Sequence, residues 1–235
     1  RCPMRRIILF GLLVLTLEMV AVASDWQVYV PFREDAENVR ACEDLAAYVR
    51  LPEISLPTEL PEESRTKISA PEEPLDGTTI NYPVVQGKDN QYYLYHLFTG
   101  EYNASGCIFL DSRSDEDFTD WHSILYGHHM GNGTMFNGLM DYKGQGFYDA
   151  HPTALLLTPT GNYKMEFFSG YVTNGRVDAW QVEFGSEESF AQWLQDVKAK
   201  SFFQSEAEPS LMDKVLTLST CSYEFENARF VLHGV

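Results

Sequence analysis

From about Gly77 onward, the sequence consists of short runs rich in β-branched and aromatic residues, separated by turn residues. This spacing is typical of an all-β sandwich or barrel, since each run suits a strand and is too short for an ordinary helix. One helical pattern interrupts the series after Ser186, where Phe190, Trp193 and Leu194 recur on one face. The sequence therefore predicts a mainly β domain with a peripheral helix. The predicted strands are 78–85, 92–98, 106–111, 123–126, 153–158, 163–173, 178–184, 214–220 and 228–233.

Near the start of the sequence, residues 7–23 are almost wholly apolar and are broken only by Glu18. Arginines precede this run and Asp25 follows it, so the positive-inside rule predicts a cytoplasmic N-terminus and an extracytoplasmic remainder. The run is near the lower length limit for a membrane span, and residues 21–23 resemble a small-x-small cleavage site. Residues 1–24 are predicted to be either a signal anchor or a cleaved signal peptide. The anchor would make this a single-pass protein of the cell membrane.

Residues 25–76 are predicted to form an extracytoplasmic helix and a stalk. In 36–50, Val39, Cys42, Leu45, Ala46 and Val49 recur at three- and four-residue spacing, which favours an amphipathic helix. Residues 51–74 are rich in Pro and Glu, a composition too poor in apolar side chains to form a core. Residues 77–235 are assigned to one catalytic domain.

The net charge excludes one broad class of function. Asp and Glu number 34 against 17 Lys and Arg, which gives a formal charge of -17. A nucleic-acid-binding surface needs clustered basic residues to neutralise phosphates, so nucleic acid is not an expected partner. A zinc site built from His122, His128 and His129 is disfavoured because no nearby cysteine and no H-E-x-x-H spacing suggests a fourth ligand. No metal and no cofactor are expected.

The candidate nucleophile is Cys221, which ends the apolar-alternating strand 214–220 just before a polar stretch. A strand end gives a thiol a rigid base and solvent access, both of which a nucleophile needs. Cys42, Cys107 and Cys221 make an odd number beyond the apolar run, so at least one is expected to be unpaired. Inert packing of the thiol is the alternative.

Two further residues could act together with this thiol. His128 follows strand 123–126 at the mouth of a glycine-rich loop, and an imidazole there can donate a proton to a leaving amine. Arg229 stands eight residues after Cys221 and would lie near it if the two strands pair antiparallel. Its guanidinium could then stabilise an oxyanion. The alternatives are a surface histidine and a salt bridge from Arg229 to Glu224 or Glu226.

Four stretches taken together resemble a class B sortase. They are TTINYPVVQGKDNQYYL (78–94), SGCIFLDSR (105–113), ILYGHHMGNGTMF (124–136), and TLSTC followed by NARFVL (217–221 and 227–232). Their order and spacing agree with that family over about two thirds of the chain. The resemblance implies an eight-stranded β-barrel with peripheral helices, here preceded by the N-terminal membrane segment and helix.

The resemblance also implies a function and a site. Cys221, His128 and Arg229 fall on the family's catalytic positions. The implied enzyme is a cysteine transpeptidase that cleaves the C-terminal sorting signal of surface proteins after Thr, forms a thioester and transfers the protein to an amine of a lipid-linked peptidoglycan precursor. Asn81, Tyr171 and Ser219 are implied to bind the peptide. A Cys–His endopeptidase that uses water, and a non-catalytic peptide-binding surface module, remain alternatives.

Overall fold

The fold is a curled β-sheet with short helices at its margins. The computed structural model describes residues 45–50, 80–158, 161–175 and 178–235. Two α-helices occur in these ranges, α1 (Gln145–Ala150) and α2 (Glu187–Ala199), with 3-10 turns at Tyr92–Leu94, Asn137–Lys143 and Asp178–Trp180. The strands are β1 (Leu45–Arg50), β2 (Asn81–Gln86), β3 (Ile108–Leu110), β4 (His122–Tyr126), β5 (Thr153–Thr158), β6 (Gly161–Asn174), β7 (Val215–Cys221) and β8 (Ala228–Gly234).

The strands close into a barrel in the order β1-β2-β3-β4-β7-β8-β6-β5, and β1 pairs with β5 to complete the ring. Two neighbouring pairs are parallel, β2 with β3 and β4 with β7, while the other pairs are antiparallel. β7 therefore lies between a parallel neighbour, β4, and an antiparallel neighbour, β8. This position brings three distant parts of the sequence to the end of β7.

Two hydrophobic clusters lie on opposite faces of the sheet. Phe230 and Leu232 of β8 point into the cluster inside the barrel, whereas Val231 between them packs in the cluster under α2. This alternation follows from the two-residue period of a strand. α2 contributes Phe190 and Trp193 to the outer cluster, and Ser186 caps the helix by accepting a hydrogen bond from the Ser189 amide. The sheet is thus held by packing on both faces.

The mainly β prediction is confirmed, and seven of the nine predicted strands correspond to β2–β8. The strand predicted at 92–98 is wrong: it begins with the 3-10 turn because Asp89 Oδ1 accepts from the Gln91 and Tyr92 amides at 2.8 Å and starts a helical turn. The strand predicted at 178–184 is also wrong. There the carbonyls of Trp180 and Gln181 accept from Arg113 and His122 side chains instead of a neighbouring strand.

The helix predicted at 36–50 is wrong where the structure describes it, because residues 45–50 form β1. The sequence LAAYVR also alternates with a two-residue period, so its apolar spacing fits a strand as well as a helix. Pairing with β2 on one side and β5 on the other favours the strand. The barrel therefore includes one strand from the segment assigned to the helix and stalk, and only seven from the predicted catalytic domain.

Several N-terminal predictions lie outside the described residues. They are the apolar run at 7–23, the stalk at 51–74 and the part of the predicted helix before Leu45. Across the ranges that the structure describes, no helix is both long enough and apolar enough to cross a bilayer.

Candidate active site

Cys221 is the last residue of β7 and lies directly opposite Arg229 of β8. The hairpin that joins the two strands explains this pairing, since β7 and β8 run antiparallel through a short loop. The Cys221 thiol is unpaired and half-buried, so solvent can reach it at the strand end. The structure thus places the predicted nucleophile beside Arg229, as the sequence predicts.

Arg229 is half-buried, and its Nη1 donates to the Ala228 carbonyl at 2.9 Å. The alternative salt bridge to Glu224 is not formed: Glu224 instead pairs with Lys143 and accepts from the Ser222 hydroxyl. Among the ion pairs within the described ranges, none involves Arg229. Its guanidinium therefore keeps donors for a ligand.

His128 follows β4 by two residues and is held by the backbone of a distant segment. Its Nε2 lies 2.8 Å from the Leu94 carbonyl oxygen. A carbonyl can only accept, so Nε2 carries a proton in that bond and Nδ1 is the atom free to exchange one. The Tyr95 ring lies beside the imidazole, with the centroids 6.0 Å apart. A backbone carbonyl thus fixes the tautomer, a role that carboxylates often fill in other enzymes.

Cys221, His128 and Arg229 line one cavity of about 250 Å³. Ser219, a predicted peptide-binding residue, lines it as well. The sequence did not single out the other wall residues: most of them lie inside the four stretches noted above, but nothing in the sequence shows that they face the same cavity as Cys221. These are Asn90, Leu94, Phe109, Tyr126, Gly127, Gly175, Trp180 and Thr220.

Two predicted peptide-binding residues do not line this cavity. Asn81 begins β2 and pairs across to Arg50 of β1. Tyr171 lies near the C-terminal end of β6, only 3% exposed, in the cluster under α2. Its ring packs against His233, and the Lys200 Nζ lies 5.5 Å from the ring centroid. The structure brings the three residues predicted to be catalytic together with Ser219 and leaves Asn81 and Tyr171 apart from them.

A buried carboxylate stands behind the cavity wall. Asp111, fully buried after β3, accepts from the Tyr126 hydroxyl at 2.8 Å and from Arg113 Nε and Nη2 at 2.9 and 2.8 Å. Burial acts to raise the pKa of Asp111, but the hydrogen bonds from Arg113 and Tyr126 outweigh it and hold the pKa at about 2. Burial, together with the charge of Asp111, raises the pKa of Tyr126. The cavity is thus backed by an ionised carboxylate and a neutral tyrosine.

The three histidines considered for zinc do not converge. His122 is the first residue of β4, and its fully buried side chain lies under α2. There its Nδ1 donates to the Gln181 carbonyl at 2.7 Å, and its Nε2 lies 2.6 Å from Thr217 Oγ1. His129 Nδ1 instead lies 3.0 Å from the Cys221 carbonyl oxygen. In the part of the chain that the structure describes, no cluster of three or more His, Cys, Asp and Glu residues could hold a metal ion.

The chain has relatives among known proteins. No protein-family model matches the chain. The chain is similar to sortase B of Listeria monocytogenes, with 39% identity over 159 residues that cover 67% of this chain and 65% of the relative. It is also similar to sortase B of Staphylococcus aureus, with 38% identity over 147 residues that cover 63% of this chain and 60% of the relative. The chain thus matches less than two thirds of the length of either curated relative.

Solved structures share the fold over more of the chain. The Staphylococcus aureus sortase B–substrate complex has a TM-score of 0.71 at 28% identity, covering 93% of this chain and 91% of that chain. A sortase B complexed with triglycine has a TM-score of 0.71 at 30% identity, covering 92% of this chain and 91% of that chain.

The curled sheet and the cysteine-centred cavity thus define a protein of the sortase class. The chain belongs to the class B sortase family, as its four sequence stretches predicted.

Proposed function

We propose that this chain is a cysteine transpeptidase that cleaves the C-terminal sorting signal of surface proteins after Thr and transfers the protein to an amine of a peptidoglycan precursor. The observation that carries the proposal is the cavity in which Cys221 lies opposite Arg229 and shares its walls with His128. A nucleophile, a proton carrier and an oxyanion donor at one cavity are the parts that acyl transfer requires.

The first half-reaction forms a thioester. The Cys221 thiolate attacks the carbonyl carbon of the Thr in the signal, and the carbonyl oxygen becomes an oxyanion that the Arg229 guanidinium stabilises. As the C–N bond breaks, protonated His128 gives its Nδ1 proton to the departing amine. Its Nε2–H stays with the Leu94 carbonyl throughout, so the ring keeps its orientation.

The second half-reaction transfers the acyl group to the acceptor. The incoming amine attacks the thioester carbonyl and gives a proton to His128 Nδ1, the C–S bond breaks, and the thiolate of Cys221 is restored. Water in place of the amine would give hydrolysis, which is the endopeptidase alternative. Relatives solved with a substrate and with triglycine support a peptide donor and an amine acceptor for this chain.

The proposal places the catalytic domain outside the cell membrane, tethered by the N-terminal segment. The apolar run at 7–23 with arginines before it supports this location. Both the donor surface proteins and the acceptor would then meet the enzyme on the same side of the membrane.

A mass measurement tests the function directly. The protein is incubated with a panel of sorting-signal peptides, with and without triglycine, and the covalent adduct and products are identified by mass. We expect a thioester on Cys221, a triglycine-linked product, and no adduct for Cys221→Ala. Replacing Arg229 by Ala should lower the rate about 100-fold or more through loss of an oxyanion donor.

The matched control is Cys107→Ser, since Cys107 is 5% exposed and its Sγ donates to the His96 carbonyl at 3.2 Å, a bond that a serine hydroxyl can keep. This protein should form the adduct as the wild type does. Hydrolysis alone in the presence of triglycine would reject the transferase in favour of the endopeptidase. Peptide binding without any adduct would reject both enzymes in favour of the binding module.

A further inference from the structure

His129, the neighbour of the proton carrier, makes a direct bond to the backbone of the nucleophile. Its Nδ1 lies 3.0 Å from the carbonyl oxygen of Cys221. Since that carbonyl can only accept, Nδ1 carries the proton and donates it. The mechanism proposed above gives this ring no task, although it touches the residue that does the chemistry.

The bond continues the pairing of β4 and β7 beyond the end of β4. These parallel strands pair in register from His122↔Val215 to Tyr126↔Ser219, and the Gly127 amide donates to the Ser219 carbonyl at 3.1 Å. In a parallel ladder the acceptors recur every second residue, so the next one is the Cys221 carbonyl and its donor comes from position 129. His129 supplies that donor from its side chain instead of its amide.

The same ring also contacts the loop that follows the nucleophile. Its centroid lies 5.1 Å from that of Tyr223, a residue between β7 and β8. Tyr223 is 75% exposed, so few other contacts hold its ring. Because His128 and His129 are consecutive, one short segment carries both the proton-exchanging atom and the ring that holds the Cys221 backbone.

We infer that His129 is a positioning residue, which fixes the Cys221 backbone relative to His128 through the Nδ1–H bond to the Cys221 carbonyl. This role rests on the proposed function and deepens it. Cys221 is then held from two sides, by β8 through its pairing with Arg229 and by the segment after β4 through the His129 imidazole. Proton transfer and acyl transfer depend steeply on the separation of the reacting atoms, and a displacement of about 1 Å can cost about 100-fold in rate.

Three substitutions separate a donor role from a general structural role. His129→Asn places an amide N–H near the position of Nδ1, His129→Gln places one near the position of Nε2, and His129→Leu has no donor. For thioester formation, we expect kcat to fall about 10- to 100-fold in the Leu and Gln proteins with KM within about two-fold of wild type. The Asn protein should recover kcat to within about five-fold. Equal kcat in the Asn and Gln proteins, or a wild-type kcat in the Leu protein, would overturn the inference.

A second measurement needs no turnover. Hydrogen exchange of the Ser222 amide, which donates to the Ala228 carbonyl at 3.0 Å next to the nucleophile, reports how firmly this strand end is held. It should speed up in the Leu and Gln proteins and not in the Asn protein, with melting temperatures within a few degrees of each other. If exchange follows this order while the wild type forms no thioester, His129 still restrains the Cys221 backbone and only the proposed function fails. If the wild type forms the thioester and exchange is the same in all four proteins, the positioning role fails alone.

Discussion

At the scale of single residues, the Tyr126 hydroxyl connects the cavity that holds Cys221 to the buried Asp111. Tyr126 lines the cavity, and its hydroxyl donates to the carboxylate that also binds Arg113. Asp111 is fully buried, so each hydrogen bond it accepts offsets part of the cost of removing a charge from water. Loss of one donor should therefore lower the free energy of unfolding and change how that free energy depends on pH in the acid range.

Tyr126→Phe tests this connection. At neutral pH the variant should be about 1 to 3 kcal/mol less stable, because it leaves a buried carboxylate short of a donor. A folded-state pKa of about 2, below the ordinary 3.8, contributes stability that is complete above about pH 3.8 and is lost as the pH falls toward 2. In the variant the pKa of Asp111 is lowered less, because one of its donors is gone. The difference in unfolding free energy between wild type and variant should therefore become smaller as the pH falls from 4 to 3.

Urea unfolding at pH 7, 4 and 3 measures both effects. Tyr163→Phe is the control, because Tyr163 is 49% exposed on β6 and its hydroxyl should contribute less than about 0.5 kcal/mol. A Tyr126→Phe deficit that stays constant over this pH range would contradict the link to Asp111.

Contacts between residues close in sequence could be predicted. Contacts that a side chain makes with the backbone of a distant segment could not. Cys221 and Arg229 flank one hairpin, so antiparallel pairing suffices to place them together. The carbonyl that holds His128 belongs to Leu94, 34 residues earlier, and a backbone carbonyl leaves no mark on the sequence. For the same reason the role of His129 appears only when β4 and β7 are seen to be neighbours.

At the scale of elements, the turn before β3 controls how close the Leu94 carbonyl comes to His128. Gly106 in this turn has φ +56, and a Cβ added there would lie 2.5 Å from the Leu94 carbonyl oxygen and still closer to that of Tyr93. The Cys107 amide donates to the Tyr93 carbonyl at 2.9 Å, which fixes the two segments against each other. Glycine is thus needed for both its conformation and its size.

Gly106→Ala should reduce thioester formation about 10- to 100-fold, because the displaced Leu94 carbonyl no longer orients the His128 ring. The left-handed backbone adds about 1 to 2 kcal/mol of destabilisation. Rates and unfolding free energies are compared with those of Gly146→Ala, whose added methyl group meets nothing within 4 Å in α1. A Gly106→Ala protein with a wild-type rate would show that the Leu94 carbonyl is not needed.

Helices and strands could be predicted where the apolar periodicity matches the packing. They could not be predicted where distant side chains bind the backbone carbonyls. β7, β8 and α2 have apolar patterns that match the faces they bury, and all three were predicted. Residues 178–184 have strand-like composition, but the side chains of Arg113 and His122 bind their carbonyls. Hydrogen bonds of this kind join residues far apart in the sequence, so no local sequence pattern reveals them.

At the scale of the whole molecule, a chain of buried hydrogen bonds joins β4, β7 and β8 beneath α2. The Thr217 hydroxyl bridges His122 Nε2 and His233 Nδ1, each at 2.6 Å. Because His122 Nδ1 donates to Gln181, its Nε2 must accept from Thr217, and Thr217 in turn accepts from His233. Burial lowers the pKa of His122 from its ordinary 6.5 to about 4. Burial, with the charges of His122 and Lys200, lowers the pKa of His233 as well.

These histidines should make the fold sensitive to mild acid. A histidine with a lowered folded-state pKa binds its proton more readily when unfolded, so stability falls as the pH drops from about 6.5 toward 4. Each such histidine contributes up to about 1.4 kcal/mol per pH unit in this window. His233→Asn keeps a donor for Thr217 and removes one titrating group, so the slope of unfolding free energy against pH should fall by about that amount. Equal slopes for wild type and variant, from urea unfolding between pH 7 and 4.5, would contradict this origin.

The parallel pairing of β4 with β7 has a consequence for how the chain folds. The carbonyl of Cys221 and the histidine that holds it are 92 residues apart, so the contact on the β4 side of the thiol forms only after a long loop has closed, whereas the hairpin with β8 is local. Until then the thiol lacks the cover of the segment after β4. In an oxidising compartment, the speed of barrel closure competes with the conversion of that sulfur to sulfenic acid or a mixed disulfide. Folding rate, and not only final stability, would then set the fraction of molecules that reach the active state.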